Sequence, residues 1–325
     1  MVTALFIEEK GKNPAVNLRE VPLDSLPEGD LDVEVLWSSL NYKDALALTG
    51  RSPIVRAPFP FVPGIDLAGR VLASRSPTFA PGDMVLQTGW GLGENRWGGY
   101  AGRACLRSEH VVPLPEGMSA REAMIVGTAG FTAMLACMAI QAHGVADGPI
   151  AVTGASGGVG SISVALLARL GHEVVASTGS GDPGYLQELG ASRIIGRDDL
   201  ASGAHRALDS GRWGGAVDSV GGSTLEALIS QTMTRGAIAA CGLAGGHELN
   251  TTVFPFILRG VGLLGIDSNT CPDALRREAW SRLRDLMDGE LYALLAAETD
   301  LAGVHGEAVA LLGGKKRGRT VVRCA

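Results

Sequence analysis

The sequence is poor in cysteine, and its few cysteines are not arranged as a metal site or a disulfide framework. None has CxxC spacing, and the six histidines do not cluster with them. The five are Cys105, Cys137, Cys241, Cys271 and Cys324. Isolated thiols of this kind are typical of buried side chains in a reducing compartment. We therefore predict neither disulfides nor a bound metal ion.

Basic patches and membrane-targeting segments are also lacking. The formal net charge is -6, and no basic stripe of the kind that binds nucleic acid is present. No apolar stretch reaches the roughly 20 residues that span a bilayer. The N-terminus, MVTALFIEEKG, has acids where a signal peptide has basic residues. We expect a soluble, cytoplasmic protein without nucleic-acid or membrane partners. The basic run at 315–319 is either a solvated turn or a handle for an anionic substrate.

The pattern of apolar residues changes near residue 125. Up to Met124 it is typical of short strands between turns, with runs at 31–37, 69–73, 84–87 and 110–113. A buried helix follows from Gly127. Six short strands then alternate with helices, at 150–153, 173–177, 193–195, 215–220, 237–241 and 262–266. This alternation predicts an α/β fold with a doubly wound parallel sheet.

The segment TGASGGVG, Thr153 to Gly160, is the most informative motif. It follows an apolar strand and opens an apolar-periodic helix at 159–170. Its glycines permit a tight turn, close approach of a pyrophosphate and close packing of helix on strand. The helix N-terminus offers unpaired N–H groups to phosphate. The motif therefore predicts a dinucleotide site, with an ordinary glycine-rich turn as the alternative. Ligands of such folds bind at the carboxyl ends of the strands, so we expect an active site in a cleft between two domains.

The next strand, at 172–178, indicates which dinucleotide binds. An NAD-preferring fold usually ends this strand with Asp or Glu, which binds the ribose hydroxyls. Here the tip is Ser177-Thr178-Gly179-Ser180, and the next acid is Asp182. Hydroxyls can donate to a 2′-phosphate, and we expect Arg193 and Arg197 to follow the third strand and contact it. The sequence predicts NADPH, although such hydroxyls also commonly cap helices.

The same loop matches the T-G-x-x-x-G-x-G pattern of short-chain dehydrogenases. Those enzymes carry the loop near the N-terminus and a catalytic Tyr-x-x-x-Lys downstream. Here the loop lies in mid-chain, and no tyrosine has lysine four residues later. We therefore exclude that class.

Seven further segments are distinctive: WSSLNYKDALALTG (37–50), FVPGIDLAG (61–69), GWGLGENRWGGYA (89–101), GTAGFTAM (127–134), CGLAGG (241–246), FILRGVGLLGIDS (256–268) and GRTVV (318–322). These segments resemble the medium-chain dehydrogenase/reductase superfamily. They are similar to its zinc-independent quinone-oxidoreductase branch, and most similar to the acrylyl-CoA reductase family.

The resemblance implies an enzyme that reduces acrylyl-CoA to propionyl-CoA with NADPH. Hydride goes to the β-carbon, an enolate oxyanion develops on the thioester, and a proton reaches the α-carbon. It also implies a GroES-like catalytic domain at 1–124, completed by 298–325, and a Rossmann domain at 125–297. Members are typically homodimers, and the apolar strand at 262–266 is the candidate for pairing across a two-fold axis.

The residues predict that this reaction proceeds without a metal. Zinc-dependent relatives have Gly-His-Glu where this chain has Gly64-Ile65-Asp66, and their four-cysteine lobe is missing. Isoleucine cannot ligate a metal, and a catalytic zinc needs about three protein ligands.

Asn41 and Tyr42 are the main catalytic candidates, with Asp66 beside them. In the family, the matching tyrosine lies near the nicotinamide. A phenol can donate a hydrogen bond to an oxyanion and act as general acid, and an amide can orient substrate. Asp66 either holds Asn41, Lys43 or a water in place, or only braces the turn at Gly64. The alternative for Tyr42 is a half-buried packing role.

The resemblance and the chemistry of the loops predict three groups of cofactor contacts. The pyrophosphate group is Ser156, Gly157, Gly158 and Val159. The 2′-phosphate group is Thr178, Gly179, Ser180 and Arg197. The nicotinamide group is Tyr42, Leu243, Ile257 and Ser268. Close relatives often have arginine at position 180. With serine there, Arg197 or Arg193 must carry more of the phosphate binding, which predicts a reduced preference for NADPH over NADH.

Two other functions remain open from the sequence. A quinone or enone reductase would keep the fold and the cofactor and change only the pocket. An NADPH-binding structural protein, like the lens crystallins of this branch, would bind the cofactor without turnover. The presence of Asn41, Tyr42 and Asp66 argues for an enzyme.

Overall fold

A computed structural model describes residues 1–179, 182–201 and 206–325. The chain divides into two compact units. The first comprises 1–128, 269–284 and 295–325, and the second comprises 129–268 and 285–294. Residues 269–284, which the predicted boundaries assign to the Rossmann domain, thus belong to the first unit.

The strands of the described residues are numbered in chain order. They are β1 (Val2–Ile7), β2 (Val16–Val21), β3 (Leu31–Leu40), β4 (Asp66–Ser74), β5 (Met84–Thr88), β6 (Arg103–Leu106), β7 (Val112–Pro113), β8 (Ile150–Thr153), β9 (Val174–Thr178), β10 (Arg193–Gly196), β11 (Trp213–Asp218), β12 (Thr232–Ala240), β13 (Gly262–Gly265), β14 (Ala296–Asp300) and β15 (Arg319–Arg323). The predicted strands all coincide with observed ones, with ends that differ by a few residues.

The helices are numbered in the same way. They are α1 (Tyr42–Thr49), α2 (Ala120–His143), α3 (Gly158–Arg169), α4 (Pro183–Glu188), α5 (Asp198–Ala201), α6 (Gly222–Gln231), α7 (Phe254–Arg259), α8 (Asp273–Leu286), α9 (Gly289–Leu295) and α10 (Val304–Leu312).

The second unit contains the predicted doubly wound sheet. Six parallel strands lie in the order β10-β9-β8-β11-β12-β13. The order reverses direction between β8 and β11, and ligands of such sheets bind at the carboxyl ends of the strands beside this point. TGASGGVG begins in β8, so the motif lies at this switch point. The α/β prediction is confirmed.

The first unit is built on a mainly antiparallel sheet, with only β14 and β15 parallel among its described strands, and this sheet places the start of α1. The path is β14-β15-β3-β4-β5-β7, with β6 pairing on β3, and β1 and β2 form a separate hairpin. Helix α1 follows β3 after one residue. Its buried Ala45 and Leu48 share a hydrophobic core with Val304 and Ala308 of α10. Burial of this apolar face fixes α1 relative to the sheet.

Helix α2 corrects one expectation from the sequence. It has 24 residues and a mean hydropathy of 1.9 in its most apolar window, enough by length and composition to cross a membrane. Within the structure, however, 89% of that window is buried, as in the core helix of a folded domain. The apolar run is longer than expected because the helix begins at Ala120 and continues through a kink at Gly127, where φ is 50° and ψ is -159°.

Candidate active site

Asn41 and Tyr42 form the start of α1. Asn41 is the N-cap residue, and its backbone N–H donates to Asp44 Oδ2 at 2.9 Å. This is the return bond of a capping box, which ties the first turn to the residue before it. Asn41 is 7% exposed, whereas Tyr42 is 46% exposed. The amide is therefore held inside the unit, while the adjacent phenol is accessible to a ligand.

The carboxylate of Asp66 holds the side chain of Asn41 by a hydrogen bond. The carboxylate is fully buried at the start of β4. Its Oδ2 accepts from Ser39 Oγ at 2.6 Å, from Asn41 Nδ2 at 2.8 Å and from the Thr128 N–H at 2.8 Å. Its Oδ1 accepts from Thr128 Oγ1. These neighbours are donors, an environment that suits a carboxylate acting only as acceptor. The sequence analysis gave Asn41, Lys43 and a water as groups that Asp66 could hold. The structure shows a direct hydrogen bond from Asn41. Lys43 instead pairs with Glu94 at 2.7 Å.

Arg319 supplies a cation to this cluster. Its side chain is 3% exposed. Nη2 donates to Ser39 Oγ at 3.0 Å, Nε to the Ile125 carbonyl at 2.9 Å and Nη1 to the Leu40 carbonyl at 3.2 Å. Burial lowers the pKa of Arg319, and the charges of Asp66 and Asp44 raise it. Neither reading of the basic run at 315–319 holds for this residue, because it lies in β15 and points into the unit.

Gly127 is the position where the cluster leaves no room for a side chain. A Cβ there would lie 2.6 Å from Asp66 Oδ2 and 2.8 Å from both Arg319 Nη2 and Ser39 Oγ. Its φ of 50° also favours glycine. The kink in α2 thus lets the backbone close over the buried Asp66, Ser39 and Arg319 side chains.

Two further ionisable groups lie in the same cluster. Asp44 is 1% exposed, and its Oδ1 accepts from the Ile65 N–H at 2.9 Å. Burial, followed by the negative charge of Asp66, raises the pKa of Asp44 to about 7. Tyr100 is fully buried and donates to the Ser39 carbonyl at 3.2 Å, and burial raises its pKa well above the ordinary value. Tyr42 is therefore the accessible phenol, while Tyr100 is structural.

Residues Asp44, Arg319, Thr128 and Ser39 were missed from the sequence. The spacing Asn41-x-x-Asp44 matches a capping box and was a usable signal. Arg319 gave none, because an arginine at the end of a basic run that begins with two lysines is normally a surface residue.

The pyrophosphate loop has the features that an anion requires. Gly157 is the N-cap of α3, and the first turn contains no acidic residue. A Cβ on Gly160 would lie 2.2 Å from the Gly154 carbonyl oxygen, so only glycine permits this approach of helix to strand. The first N–H groups of a helix have no partner within it and carry its positive dipole end. The loop of Ser156, Gly157, Gly158 and Val159 is therefore suited to phosphate.

Asp218, also missed from the sequence, fixes this loop from the neighbouring strand. It is fully buried at the end of β11. Its Oδ1 accepts from Thr153 Oγ1 at 2.5 Å and its Oδ2 from the Gly221 N–H at 2.9 Å. Burial raises the pKa of Asp218. The carboxylate joins the ends of β8 and β11 at the switch point.

The structure brings together most of the predicted 2′-phosphate group. Ser156 Oγ lies 3.0 Å from Thr178 Oγ1. Arg197 directly follows β10, whose last residue pairs with Thr178. The guanidinium lies against Gly179, where a Cβ would be 2.7 Å from Nη2. Two hydroxyls and one cation thus converge at the tip of β9. Ser180 lies outside the described residues.

Arg193 is not part of this group. It was expected to follow the third strand, but it opens β10 and pairs with Val175. In a parallel pair, this register puts Arg193 three residues, or about 10 Å, from the level of Thr178. Of the two arginines, only Arg197 is placed at the tip of β9, and its contact with the 2′-phosphate stays a prediction.

The predicted nicotinamide contacts of the second unit lie after β12. Leu243 and Ile257 are 62% and 68% exposed. Ser268 Oγ accepts from Thr132 Oγ1 at 2.9 Å. Exposed apolar side chains are suited to cover a planar ring, and their contact with the nicotinamide stays a prediction.

In the ranges 1–179, 182–201 and 206–325, no three His, Cys, Asp or Glu side chains are grouped as ligands. Position 65, a histidine in zinc-dependent relatives, is an isoleucine that is 4% exposed.

Two protein-family profiles match this chain, one over the antiparallel part of the first unit and one mainly over the six-stranded parallel sheet. The family profile "Alcohol dehydrogenase GroES-like domain" matches residues 27–116, within the first unit. The profile "Zinc-binding dehydrogenase" matches residues 158–288. A GroES-like domain together with a doubly wound nucleotide-binding sheet defines a medium-chain dehydrogenase/reductase.

Individual relatives narrow the class. The chain is 47% identical to acrylyl-CoA reductase AcuI of Ruegeria pomeroyi, over 99% of each chain. It superposes on the crystal structure of E. coli K-12 YhdH with bound NADPH at a TM-score of 0.96, with 48% identity over 99% of this chain and 100% of that one. It also superposes on Bacillus subtilis yhfP, crystallised with NAD bound, at a TM-score of 0.95, with 41% sequence identity over 99% of each chain. The chain belongs to the acrylyl-CoA reductase family.

Proposed function

We propose that this protein reduces the carbon–carbon double bond of acrylyl-CoA to give propionyl-CoA, with NADPH and without a metal. The similarity to a named acrylyl-CoA reductase over 99% of both chains supports the substrate. The observation that carries the chemistry is the exposed phenol of Tyr42, directly after an asparagine held by buried Asp66. This arrangement offers one accessible proton donor on a rigid support.

Each residue of the first unit has a defined part in this proposal. NADPH, when bound, supplies the hydride that goes to the β-carbon. Tyr42 donates a hydrogen bond to the thioester oxygen as negative charge develops there, and it is the candidate donor of the α-proton. Asn41 directs its amide N–H groups at Asp66 and Ser39, so we assign it to positioning Tyr42. Asp66 and Ser39 hold Asn41, and Arg319 donates to the same Ser39 hydroxyl.

The residues of the second unit fit NADPH. The acid-free first turn of α3 would hold the pyrophosphate. Thr178, Gly179 and Arg197 would hold the 2′-phosphate, and Ser156, which would contact the pyrophosphate, is hydrogen-bonded to Thr178. Among the similar structures, E. coli YhdH contains NADPH and B. subtilis yhfP contains NAD, so both dinucleotides occur on this fold.

We predict that Arg197→Ala raises KM for NADPH about tenfold, because a phosphate loses a charge-assisted bond. KM for NADH should change less than about twofold, since NADH lacks that phosphate. Initial rates at varied cofactor concentration measure both. Arg193→Ala is the matched control, since it removes the same charge at the other end of β10. An equal effect of the two substitutions on KM for NADPH would contradict the assignment.

We further propose a cytoplasmic homodimer. Strand β13 is at the edge of the six-stranded sheet, and Leu263 within it is 36% exposed. Exposed apolar residues of α7 precede it, namely Phe254 and Leu258. An apolar edge strand is a ready pairing surface for a second copy. Leu263→Glu should shift the mass measured by light scattering from dimer to monomer. Leu72→Glu, on an exposed position of β4, should not, and a monomeric wild type would contradict the proposal.

Turnover tests the proposed function. NADPH oxidation is followed optically with acrylyl-CoA and, separately, with a small quinone. We expect kcat/KM for acrylyl-CoA to exceed that for the quinone by at least about a hundredfold, or about 2.7 kcal/mol. The reverse preference would make the protein a quinone reductase. Tight NADPH binding with no turnover of either substrate would indicate the structural role.

A further inference from the structure

A CoA thioester carries several phosphate charges, so its binding requires cations that are not already paired. The basic run at 315–319 was the first candidate. Arg319 is buried in the Asp66 cluster, and Lys316 pairs with Glu307. Within 315–319 these two cations are thus engaged by the protein itself.

A surface cavity beside residues 28–30 is also unsuitable. It contains Arg75 and Arg107, but its walls carry the acids Glu28, Asp30 and Glu109. Arg107 lies 3.9 Å from Glu109. The local charge is therefore balanced or negative, which disfavours a polyanion.

A different cavity, at the end of α1, combines an apolar wall with positive charge. It has a volume of about 230 Å³. Ile7, Ala47, Val55 and Phe59 contribute apolar surface to it. This volume is below the range typical of a whole ligand, about 300 to 1,000 Å³, so the cavity suits one part of a larger molecule.

Three cations surround this cavity. Lys10 and Lys12 lie in the loop between β1 and β2, and Arg51 lies just after α1. Glu9 is the only acid among the lining residues. In the part of the chain that the structure describes, no carboxylate lies within ion-pair distance of these three cations. In a chain of net charge -6, this is a local surplus of about two positive charges.

The cavity and Tyr42 are at opposite ends of one rigid element. Tyr42 opens α1, whereas Ala47 near its end and Gly50 just after it line the cavity. Eight helical residues span about 12 Å. The pantetheine arm of CoA separates the thioester from the nucleotide by more than this length when extended. The helix also has its negative dipole end at the cavity, so the three cations must act against it.

We propose that this cavity, defined by Lys10, Lys12, Arg51, Val55 and Phe59, binds the 3′-phosphorylated ADP end of the acyl-CoA substrate. The apolar wall takes the adenine, and the cations take the phosphates. The inference rests on the proposed function, and it assigns CoA specificity to residues that take no part in the chemistry.

The test compares two thioesters of the same acid. Acrylyl-CoA carries the nucleotide, and the acrylyl thioester of N-acetylcysteamine lacks it. In the double variant Lys12→Ala/Arg51→Ala, kcat/KM for acrylyl-CoA should fall about tenfold or more, while that for the truncated thioester should change less than about twofold. Arg277→Ala, which removes one exposed charge on α8, should change neither. Equal losses for both thioesters, or no loss for acrylyl-CoA, would overturn the proposal.

A binding measurement separates this inference from the proposed function. CoA is titrated by calorimetry into the protein saturated with NADP⁺, which blocks the dinucleotide site. Wild type and Arg277→Ala should bind CoA alike, and the double variant should bind it about tenfold more weakly. If CoA binds in this pattern but the wild-type protein does not reduce acrylyl-CoA, the proposed function is refuted and the CoA-binding site is supported. Equal CoA affinity of all three proteins would refute the site whatever the turnover.

Discussion

Replacement of Asp66 by asparagine is expected to destabilise the first unit by about 3 kcal/mol. Ser39, Asn41 and Thr128 donate four hydrogen bonds to the carboxylate. An amide has one acceptor oxygen, so its NH₂ group would face donors. Buried Arg319 would also lose the favourable charge of Asp66, which together with Asp44 raises its pKa. Denaturant unfolding of the first unit measures the change.

The same substitution should lower the pKa of Asp44, because the charge of Asp66 is one of the causes that raise it. A raised pKa means that the folded state holds the proton where the unfolded state has lost it. Wild-type stability from this group is therefore present below its ordinary pKa of 3.8 and is lost as the pH rises through about 7. In Asp66→Asn the stability contributed by Asp44 should be fully lost at a lower pH than in the wild type.

Glu298→Gln is the control for the loss of stability in Asp66→Asn. It breaks an exposed pair with Arg121 and should change the free energy of unfolding by less than about 0.5 kcal/mol. An equally small effect of Asp66→Asn would contradict the described network.

Replacement of Tyr42 by phenylalanine should lower kcat for acrylyl-CoA about 100-fold to 1,000-fold. The phenol is expected to act in the transition state, as a donor to the developing oxyanion and as the proton donor. KM for acrylyl-CoA and the Kd for NADPH should stay within about twofold, because the ring remains. Steady-state rates and fluorescence titration of NADPH measure these quantities.

The matched control is Tyr292→Phe, which removes a phenolic oxygen from a buried tyrosine of α9 and should leave kcat within about twofold. A loss in Tyr42→Phe that appears only in KM would mean that Tyr42 binds substrate without acting on it. Unchanged kinetics would support the packing role that the sequence left open.

Much of the fold follows from the sequence because periodicity reports burial. The strands of the second unit are short apolar runs, as expected for a parallel sheet that is covered on both faces. Helix α2 was predicted from Gly127, seven residues late, because glycine in mid-helix is normally a boundary signal. Here a tertiary cause, the cluster of Asp66 and Arg319, requires the glycine. Local propensity does not contain that information.

The site was predictable where the chemistry is local in the chain. Thr153 to Gly160 is one loop, and its proposed role in cofactor binding follows from its glycines and its place between strand and helix. The buried cluster around Asp66 is built from four separate segments, at residues 39–41, 127–128 and 319 as well as β4 itself. Nothing in the sequence brings Arg319 to Ser39, because their proximity arises from the pairing of β15 with β3. Arg193 and Arg197 differ in position for a similar reason. Because β10 begins at Arg193 and pairs with β9, only Arg197 lies beside Thr178.

Isotope labelling is the most direct test of the central claim that this enzyme transfers hydride to the β-carbon of an enoyl thioester. The protein is mixed with acrylyl-CoA and NADPH that carries deuterium at the transferable position of C4, and the product is examined by NMR. The account predicts propionyl-CoA with deuterium on C3 and, in a separate reaction in D₂O with unlabelled NADPH, deuterium on C2. Oxidation of NADPH without propionyl-CoA, or cofactor deuterium on C2, would contradict it.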